Sequence, residues 1–476
     1  MNVLSVSSEI YPLIKTGGLA DVTGALPSAL AKHGIRMVSF VPGYPAVLAA
    51  LTDAQELWHF DNLGGAVATL IQGKAKGLDV IVLNAPHLFN RNGNPYLGPD
   101  GKDWPDNARR YGLFAETAAE LVRGTYGGAK FDLLHGHDWQ AALASTYLRY
   151  RGGPKSLLTI HNIAFQGVFV PEIFADLNLP PVAYSMSGVE YYGNVSFLKG
   201  GLASASALST VSPSYAREIC TADYGMGLEG LLQARRGVLA GIVNGIDDDV
   251  WNPGTDKALK QTYSVKSLEM RVANKRELER RFGFSTGDGI IHGIVSRLTW
   301  QKGLDIFATL IDSVVEAGGR IAVVGTGEVG IENAFRAAAV RHKGKVGLVT
   351  AYDEQLSHLI QGGADTMLVP SRFEPCGLTQ LYGLRYGCVP LVARVGGLAD
   401  TVIDANDAAL ASGVATGIQF VPVDGLTLQH ALARSHALYA DTAAWRGLQT
   451  RGMASDVSWK RSAAAYAQLY KSILAG

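Results

Sequence analysis

Short apolar segments alternate with segments of helical periodicity along most of the chain. The apolar segments are Asn2–Val6, Arg36–Val41, Asp79–Asn84, Leu133–His135, Ser156–Thr159, Ala207–Val211, Gly289–Ser296, Arg320–Val324, Lys345–Thr350, Thr366–Val369 and Val389–Ala393. Strands that are apolar on nearly every position are typical of parallel sheets covered by helices on both faces. The pattern therefore predicts an α/β fold built from doubly wound parallel sheets.

A turn-rich segment separates two halves of this pattern. The sequence Gly241–Trp251 ends in Asn252-Pro253-Gly254, a strong chain breaker and a candidate hinge, and a new series of strands begins near Gly289. A chain of 476 residues is expected to form two or three domains, because single hydrophobic cores stop growing well below this length. We predict one Rossmann-like domain over residues 1–250 and a second over residues 251–456.

One short sequence occurs once in each half. Gly17-Gly18-Leu19-Ala20-Asp21 recurs as Gly396-Gly397-Leu398-Ala399-Asp400, and a cation, Lys15 or Arg394, precedes each copy by two positions. Paired glycines before a helix let a ligand approach free backbone N–H groups. The first copy lacks the Gly-Lys-Ser/Thr of a P-loop. The repeat favours two Gly-rich ligand-binding loops facing a shared cleft over two plain turns.

Composition and charge narrow the choice of partners. Lys+Arg and Asp+Glu both number 42, so the net charge is zero and does not favour nucleic acid. No apolar run is long enough to cross a bilayer, and the N-terminus has the pattern of a strand rather than of a signal peptide. Three widely spaced cysteines, Cys220, Cys376 and Cys388, argue against a disulfide framework. We expect a cytoplasmic protein that acts on a small molecule or a neutral polymer.

Histidines and an aspartate follow two of the predicted strands. His135-Gly136-His137-Asp138-Trp139 follows one strand, and His161-Asn162 follows the next. Loops at the carboxyl ends of parallel strands are where α/β sheets bind ligands. These side chains could also be hydrogen-bonded core groups, or could hold zinc in a metal-dependent hydrolase, although no further carboxylate or HExxH pair supports the metal. We predict a ligand site without a metal.

A second alternative comes from a Gly-rich loop in the second half. Gly325-Thr326-Gly327-Glu328-Val329-Gly330 follows a strand and matches the dinucleotide pattern G-x-G-x-x-G. Asp353 lies beyond the next strand, where a ribose-binding acid would be expected, so an NAD-dependent oxidoreductase stays open. A carboxylate at Glu328 would repel a pyrophosphate. We therefore favour a nucleotide-side loop of a Rossmann-like domain over hydride transfer.

Two further segments in the second half carry charges suited to a diphosphate sugar. Ser296–Gly303 holds two cations, Arg297 and Lys302, just after a strand. Pro370–Gln380 holds Glu374 and then turns through Gly377 into a helix, whose free N–H groups at Leu378 and Thr379 could bind a phosphate. A glutamate beside an anion site is costly unless something compensates its charge, and this cost favours a functional role for Glu374. No histidine adjoins Cys376 in sequence, so we expect packing or ligand contact there rather than a nucleophile.

Taken together, these sequences resemble the retaining GT-B glucan synthases, and most closely the bacterial glycogen synthase and plant starch synthase family. The matching sequences are KTGGLADV at Lys15–Val22, HGHDW at His135–Trp139, HNIAFQG at His161–Gly167, VNGID at Val243–Asp247, SRLTWQKG at Ser296–Gly303 and PSRFEPCGLTQ at Pro370–Gln380. They span most of the chain in the expected order. Their combination is specific, although each sequence alone is not.

The resemblance implies a GT-B fold, in which two Rossmann-like domains face each other across a deep cleft. It implies transfer of glucose from ADP-glucose to the non-reducing end of glycogen or another α-1,4-glucan, without a cofactor. It also implies that the last helix, over residues 457–476, folds back onto the first domain. The pattern of that helix places Ala465, Leu469 and Ile473 on one apolar face.

Site residues follow from the same resemblance. Arg297 and Lys302 would neutralise the diphosphate, and Glu374 would contact the transferred glucose. The full set of implied catalytic residues is Asp138, His161, Arg297, Lys302 and Glu374, and the residues predicted to bind substrate are Lys15, Gly17, Gly18, Asp21, Asn244, Tyr352, Cys376, Gly377, Leu378 and Thr379. Tyr352 would pack on the adenine, and Lys15 would lie in the ADP-glucose site.

One position departs from many retaining GT-B enzymes. They carry two glutamates spaced E-x7-E, whereas Tyr382 stands at the second position here, as in glucan synthases. A proton could pass from the acceptor hydroxyl to the leaving diphosphate, which retains configuration without a covalent intermediate. Asp138 as a nucleophile stays an alternative. So do a UDP-sugar-dependent transferase of this fold and a non-enzymatic sugar-nucleotide binder. The sequence does not predict an oligomeric state.

Overall fold

A computed structural model describes residues 1–128, 130–351 and 353–476, which divide into two compact units. Unit 1 comprises Met1–Asn244 together with Trp459–Gly476, and unit 2 comprises Gly245–Ser458. Each unit has its own sheet and its own hydrophobic core. Among the helices of the described ranges, none combines the length and the apolar character that crossing a bilayer requires.

Unit 1 is built on a nine-stranded sheet with a small separate sheet. Its strands are β1 (Asn2–Val6), β2 (Arg36–Pro42), β3 (Leu51–Leu63), β4 (Ala66–Ala75), β5 (Leu78–Asn84), β6 (Leu133–His137), β7 (Lys155–Ile160), β8 (Val168–Phe169), β9 (Glu190–Tyr191), β10 (Asn194–Ser196), β11 (Ala207–Thr210) and β12 (Leu239–Gly241). The large sheet has the order β12-β11-β7-β6-β1-β2-β5-β4-β3, and β8, β10 and β9 form the small one.

Helices cover the large sheet of unit 1 on both faces. They are α1 (Gly18–Ala31), α2 (Pro45–Ala49), α3 (Pro86–Phe89), α4 (Asn107–Val122), α5 (Asp138–Arg151), α6 (Phe197–Ser204), α7 (Pro213–Glu218) and α8 (Glu229–Ala234). Because side chains alternate along a strand, Val3 and Leu133 enter one core cluster while their neighbours Leu4 and Leu134 enter the other. This two-sided burial is why these strands are apolar throughout.

Unit 2 is built on a smaller sheet of six parallel strands. The strands are β13 (Ile291–Val295), β14 (Arg320–Val324), β15 (Val346–Val349), β16 (Thr366–Val369), β17 (Val389–Ala393) and β18 (Ile418–Phe420). The helices are α9 (Arg271–Phe282), α10 (Leu304–Ala308), α11 (Ile311–Glu316), α12 (Val329–Arg341), α13 (Glu354–Gly363), α14 (Thr379–Tyr386), α15 (Gly396–Thr401), α16 (Asp407–Ala411), α17 (Gly425–Ala440), α18 (Thr442–Ala454) and, in unit 1, α19 (Trp459–Ala475). Single 3₁₀ segments occur at Pro171–Asp176, Pro181–Ala183, Arg236–Val238, Val265–Met270 and Trp300–Lys302.

The sheet of unit 2 and the parallel part of the large sheet of unit 1 each contain a point at which the order of successive strands reverses its direction. In unit 2 the order β15-β14-β13-β16-β17-β18 is that of a Rossmann fold, and the reversal lies between β13 and β16. In unit 1 the corresponding reversal lies between β1 and β6, which pair directly in parallel. At such a point the loops leaving the two adjacent strands diverge and open a crevice at the carboxyl edge of the sheet. The predicted doubly wound α/β architecture is confirmed.

The structure also contains elements that the sequence pattern did not predict. The long hairpin β3–β4 is antiparallel and its strand β3 is mostly exposed, so it lacks the continuous apolar pattern of the parallel strands. The small sheet and the short strands β12 and β18 have too few residues to show a period. These elements lie at or next to sheet edges, or outside the main sheets.

The boundary between the units precedes the predicted one at residue 250. Ile246 packs with Leu381 and Leu384 in unit 2, and Trp251 stacks on Tyr382 with ring centroids 3.6 Å apart. The backbone N–H of Ile246 also donates to Val457 O at 2.9 Å. Packing thus draws the segment before Asn252-Pro253-Gly254 into unit 2, and unit 2 ends at Ser458 rather than at residue 456.

The last helix packs against α1 and the large sheet of unit 1. Trp459, Ala463, Tyr466, Tyr470 and Ile473 join the core cluster that contains Val3, Val22, Leu26 and Leu30. The apolar face predicted from the sequence was partly wrong, because Ala465 is exposed and Leu469 only partly buried. The true face is set by the aromatic residues, which fill the space over α1.

Two alanines of α19 provide a test of this register. Ala467 is 3% exposed within the core cluster, whereas Ala465 lies on the solvent side of the same helix. Ala467→Asp places a carboxylate among apolar side chains, so we expect a loss of about 3 kcal/mol or more in the free energy of unfolding. The matched variant Ala465→Asp should stay within about 0.5 kcal/mol of the parent in urea denaturation. Equal losses in both variants would contradict the register.

Candidate functional site

The loop that precedes α1 holds the predicted cation Lys15 in a defined place. Helix α1 begins at Gly18 with Gly17 as its N-cap residue, and Lys15 Nζ pairs with Asp21 Oδ1 at 2.7 Å. Lys15 and Asp21 are both partly exposed, with side-chain fractions of 31% and 22%. A Cβ atom at Gly17 would meet no other atom within 4 Å, so space is open beside the loop. The structure therefore brings these four predicted residues together.

A buried glutamate that the sequence analysis missed shapes the same loop. The Glu9 carboxylate accepts hydrogen bonds from the N–H and the hydroxyl of Thr16, from Gly17 N at 3.3 Å and from the Tyr96 hydroxyl at 2.6 Å. Glu9 is only 2% exposed. The signal was available, because Ser7-Ser8-Glu9 is a polar run directly after the buried strand β1. Glu9 fixes the backbone that leads into Gly17.

The predicted histidines His135 and His137 are links in a buried hydrogen-bonded chain. Both rings belong to β6, and both nitrogens of each ring have protein partners. His135 contacts Tyr470 OH at 2.7 Å and Thr159 Oγ1 at 2.6 Å, while His137 contacts Ser5 Oγ at 3.2 Å and His161 Nε2 at 3.0 Å. Burial lowers the pKa of His135 to about 3, so this ring is neutral at physiological pH.

Asp138 lies at the reversal point of the unit 1 sheet and contacts the backbone of His161, which follows the neighbouring strand β7. Asp138 begins α5 directly after β6 and has a left-handed backbone, with φ of +55°. Its Oδ1 accepts from the backbone N–H of His161 at 2.7 Å and of Asn162 at 3.4 Å. Burial raises the pKa of Asp138 to about 7 despite these bonds, and burial lowers the pKa of His161 to about 3. The site thus holds a carboxyl group that exchanges its proton near neutral pH.

Asn244, also predicted to bind substrate, lies at the end of the first segment of unit 1. It is 6% exposed, and its Oδ1 has no hydrogen-bond partner among the described residues. A buried amide oxygen without a partner costs free energy. A ligand that donates a hydrogen bond to this oxygen would remove the cost. The observation favours the predicted role of Asn244 in substrate binding, which stays a prediction.

Lys302 and Glu374 form the centre of the unit 2 site. Lys302 follows β13 and Glu374 follows β16, so the two residues leave the adjacent strands at which the sheet order reverses. Lys302 Nζ lies 2.6 Å from Glu374 Oε2, which also accepts from Ser371 Oγ at 2.8 Å. The Glu374 side chain is 9% exposed and that of Lys302 19%. The pair is therefore largely desolvated and geometrically restrained.

Arg372 holds the two loops of this site together. Its guanidinium pairs with both oxygens of Asp305, at 2.7 and 2.8 Å, and donates to Trp300 O at 2.5 Å. It also lies over the Trp300 ring, 4.4 Å from the centroid. In addition, Arg372 N donates to Gln301 O at 2.9 Å. The fork geometry of arginine makes this a rigid brace between the loops that carry Lys302 and Glu374.

The Gly-rich sequence Gly325–Gly330 packs against the loop that carries Arg297. A Cβ atom at Gly325 would clash with Ser296 O, and one at Gly327 would clash with Leu298 O. The Glu328 carboxylate accepts from Trp300 N at 2.8 Å. The close approach of the Ser296–Leu298 backbone therefore explains Gly325 and Gly327. These two glycines give no support to the prediction of a nucleotide-side loop. Arg297 itself is exposed.

The segment from Cys376 to Thr379 turns from Glu374 into α14. Cys376 is buried, as expected for packing, and α14 begins at Thr379 with Leu378 as its N-cap residue and without a side-chain cap. Gly377 has a positive φ of +72°. The N–H of Gly397 donates to Glu374 O at 3.1 Å and to Pro375 O at 3.2 Å.

One glycine of each copy of the repeated sequence has a defined environment. A Cβ atom at Gly397, the second glycine of its copy, would clash with the backbone of Cys376, whereas one at Gly17, the first glycine of its copy, would meet open space. Gly397 therefore allows close contact with the loop of Glu374, and Gly17 borders the space that a ligand would need. The remaining predicted residue, Tyr352, lies outside the described residues.

No three His, Cys, Asp or Glu side chains come together as a possible metal site in the described part of the chain. His135 and His137, proposed above as possible zinc ligands, already use both ring nitrogens. Their hydrogen bonds account for their burial.

Known protein families match both units. Residues 2–234 match the starch synthase catalytic domain, and residues 275–417 match the glycosyl transferases group 1. Glycogen synthase 1 of Rhizobium radiobacter is 55% identical over 476 residues, and glycogen synthase of Novosphingobium aromaticivorans is 54% identical over 480 residues. Each alignment covers 100% of this chain and 99% of the relative.

Solved structures show the same similarity. The catalytic domain of Starch Synthase IV from Arabidopsis thaliana, bound to ADP and acarbose, matches with a TM-score of 0.88 and 30% identity, over 100% of this chain and 99% of that one. Sucrose-phosphate synthase from Thermosynechococcus elongatus matches with a TM-score of 0.61 and 19% identity, over 100% and 99% of the two chains, which is a likeness of fold alone.

The raised pKa of Asp138 predicts a specific pH dependence of stability. The folded state holds this proton up to about pH 7, whereas an unfolded aspartate loses it near pH 3.8, its ordinary value. The stabilisation is therefore complete below pH 3.8 and is lost as the pH rises through about 7. Asp138→Asn keeps an acceptor oxygen and removes the titration. Relative to this variant, the parent should lose up to about 1.4 kcal/mol per pH unit between pH 5 and 7 in urea denaturation.

The buried histidines provide the internal control for this comparison. Their lowered pKa values destabilise the folded state at low pH in the parent and in the variant alike. Taking the difference between the two proteins removes that contribution. A difference that stays constant from pH 5 to pH 8 would show that Asp138 is ionised throughout.

Proposed function

Because the chain belongs to the glycogen synthase family of glycosyltransferases, we propose that it transfers glucose from ADP-glucose to the non-reducing end of an α-1,4-glucan with retention of configuration. Support for the donor comes from the starch synthase catalytic domain that was solved with ADP and acarbose. Support for the glucan comes from the relatives named glycogen synthase, at 55% and 54% identity over the whole chain. The observation that carries the proposal is the Lys302–Glu374 pair at the reversal point of the unit 2 sheet.

Neutralising the leaving group is the main task of this chemistry. When the bond between glucose C1 and the diphosphate oxygen breaks, negative charge accumulates on ADP, and cations placed beforehand stabilise it. Lys302 is restrained by Glu374, so its ammonium needs no reorganisation during the reaction. Arg297 is exposed on the same loop and can fold onto a diphosphate. Both residues act here as electrostatic groups rather than as general acids.

Retention of configuration requires that the acceptor attack from the side that the diphosphate leaves. In the proposed route the new bond forms between the glucan 4-hydroxyl oxygen and C1, and the hydroxyl proton passes to the departing diphosphate oxygen. Glu374 stabilises the positive charge that develops on the sugar. Asp305 on the neighbouring loop is paired with Arg372 through both carboxylate oxygens, so it is not available as a second carboxylate beside Glu374. Tyr382, at the position of the second glutamate in other retaining GT-B enzymes, has no carboxylate and stacks on Trp251.

The roles of the unit 1 residues stay predictions within this proposal. His161 and Asp138 are expected to face the sugar, and Lys15 with Asn244 to contact substrate. Asp138 is a poor candidate for a covalent nucleophile, because burial keeps its carboxyl group protonated until the pH reaches about 7. Its proposed function is to hold the backbone of His161 through the 2.7 Å hydrogen bond.

The decisive experiment offers ADP-glucose and UDP-glucose separately to the full chain with glycogen and measures the released nucleotide. We expect ADP release that depends on glycogen, together with incorporation of glucose into the polymer. Faster release of UDP would assign the chain to the alternative, a UDP-sugar-dependent transferase of the same fold. No release from either donor would overturn the proposal.

The proposed reaction needs no cofactor, because side chains supply the cations that face the leaving group. The full chain dialysed against EDTA should therefore retain its rate of ADP release. Added Mg²⁺ should change the initial rate by less than about twofold, since a metal acting at the diphosphate would contribute orders of magnitude. A rate that collapses after dialysis and returns with Mg²⁺ would contradict this part of the proposal.

Substitutions of the two cations test their electrostatic role. Arg297→Ala removes an exposed side chain, whereas Lys302→Gln keeps a hydrogen-bond donor for Glu374 but leaves its charge unpaired, so the melting midpoint of this variant is measured alongside its turnover. We expect kcat for ADP release to fall by about 10²–10³ in each, the range observed when one stabilising donor is removed. Lys343→Ala, an exposed lysine of the same unit, is the matched control. Turnover near that of the control in both variants would remove the assigned role.

A further inference from the structure

A hairpin in the small sheet of unit 1 places a tyrosine in a strained backbone conformation. In this hairpin, Tyr191 of β9 pairs with Asn194 of β10, so the loop consists of Tyr192 and Gly193 alone. Their φ values are +47° and +79°. Two-residue loops with two positive φ values favour Asn-Gly, because a Cβ atom crowds the backbone in this region. Tyrosine is therefore an unfavourable residue for the turn that it forms.

Burial does not compensate this strain. Tyr192 is 80% exposed, and its ring packs edge-on against the Tyr191 ring at a centroid distance of 4.8 Å. Strained residues that add little to the core are characteristic of functional sites. The sequence thus retains an aromatic ring at the tip of a hairpin where asparagine would suit the backbone better.

Other exposed apolar side chains lie on the loops that are hydrogen-bonded to this hairpin. Tyr191 OH and Gln166 Nε2 both donate to Met226 O, at 2.9 and 3.0 Å, which ties the hairpin to two neighbouring loops. Met226 is 38% exposed and has a positive φ of +51°, and Phe165 is 51% exposed. We call Phe165, Tyr191, Tyr192 and Met226 the aromatic patch. Phe165 belongs to the loop from His161 to Gln166, which begins at His161 of the site described above.

The charges beside the patch disfavour an anionic ligand. Glu190 Oε1 accepts from Gly193 N at 2.8 Å, and Glu229 Oε2 accepts from Gly227 N at 2.9 Å, so two carboxylates lie in the turns next to the ring. The Lys199 ammonium donates to the backbone oxygens of Met186 and Gly188. Aromatic faces bordered by carboxylates suit a neutral ligand with an apolar face.

We propose that Tyr192 is a platform on which an α-glucan chain stacks through the C–H face of a glucose ring. The inference rests on the proposed function, which makes a neutral glucan the acceptor. It adds a binding residue outside the groups at the reversal points of the two sheets. The ring acts by holding the polymer, not by touching the reacting atoms, so it changes the affinity for glucan and leaves the donor site untouched.

The test compares two turns of the same kind in unit 1. Lys76 and Gly77 form the loop between β4 and β5, with φ values of +50° and +87°. Lys76 is exposed and does not belong to the aromatic patch. Tyr192→Asn and Lys76→Asn both place asparagine in the left-handed position, so each should raise the apparent melting midpoint by about 1–3 °C or leave it unchanged. Tyr192→Phe keeps the ring.

Affinity electrophoresis of the full-length variants in native gels containing glycogen gives the apparent Kd for the polymer. We expect Tyr192→Asn to raise this Kd by about fivefold or more, as loss of an aromatic stacking partner does elsewhere. Lys76→Asn and Tyr192→Phe should stay within about twofold of the parent. In the ADP-release assay the KM for glycogen should rise in Tyr192→Asn, while the KM for ADP-glucose should not.

The outcomes separate this inference from the proposed function. A parent protein that releases ADP from ADP-glucose, together with a Tyr192→Asn variant that binds glycogen as tightly as the parent, overturns the platform alone. A parent that releases no nucleotide overturns the function, whereas loss of gel retardation in Tyr192→Asn would still support the platform. A melting midpoint that falls by several degrees in Tyr192→Asn but not in Lys76→Asn would show a structural role and also overturn the platform.

Discussion

The reversal of strand order in each parallel sheet is the constraint on which the candidate site depends. At β13 and β16 the chain leaves two adjacent strands toward opposite faces, so the loops that carry Lys302 and Glu374 border one crevice. The Arg372 brace then restricts both loops, and the 2.6 Å ion pair forms between side chains that are 72 positions apart in sequence. A largely buried charge pair is retained only when both partners are held in this way.

The same topology produces a different electrostatic environment in unit 1. The reversal between β1 and β6 brings Glu9 and Asp138 to one edge of the sheet, and Asp138 accepts from the backbone N–H of His161, whose ring contacts that of His137. Burial keeps the histidines neutral and raises the pKa of Asp138. Unit 2 therefore presents the Lys302–Glu374 ion pair, while unit 1 presents the partly exposed Lys15–Asp21 pair together with neutral histidines and a carboxyl group that titrates near neutrality.

Backbone strain and close packing distinguish residues of similar appearance. Gly397, the second glycine of one copy of the five-residue repeat, is required by contact with Cys376, whereas Gly17, the first glycine of the other copy, borders open space. Lys76 and Tyr192 occupy equivalent positive-φ positions in two hairpins, yet only Tyr192 presents a large aromatic face to solvent. In each pair, the surroundings of the residue rather than its type indicate whether it serves folding or binding.

The sequence by itself determined the parallel strands, the division into two Rossmann-like units and the family, because continuous apolar segments and ordered motifs are local properties. It also identified Lys302, Glu374, Asp138 and His161 as candidates, since each follows a strand. Only the tertiary structure decided that Lys302 pairs with Glu374, that Glu9 holds the loop at Gly17, and that α19 buries Tyr466 and Tyr470 rather than Ala465. It also decided that Trp251 belongs to unit 2 through its stacking on Tyr382. Such contacts join residues distant in the chain, and their geometry depends on packing that no local pattern encodes.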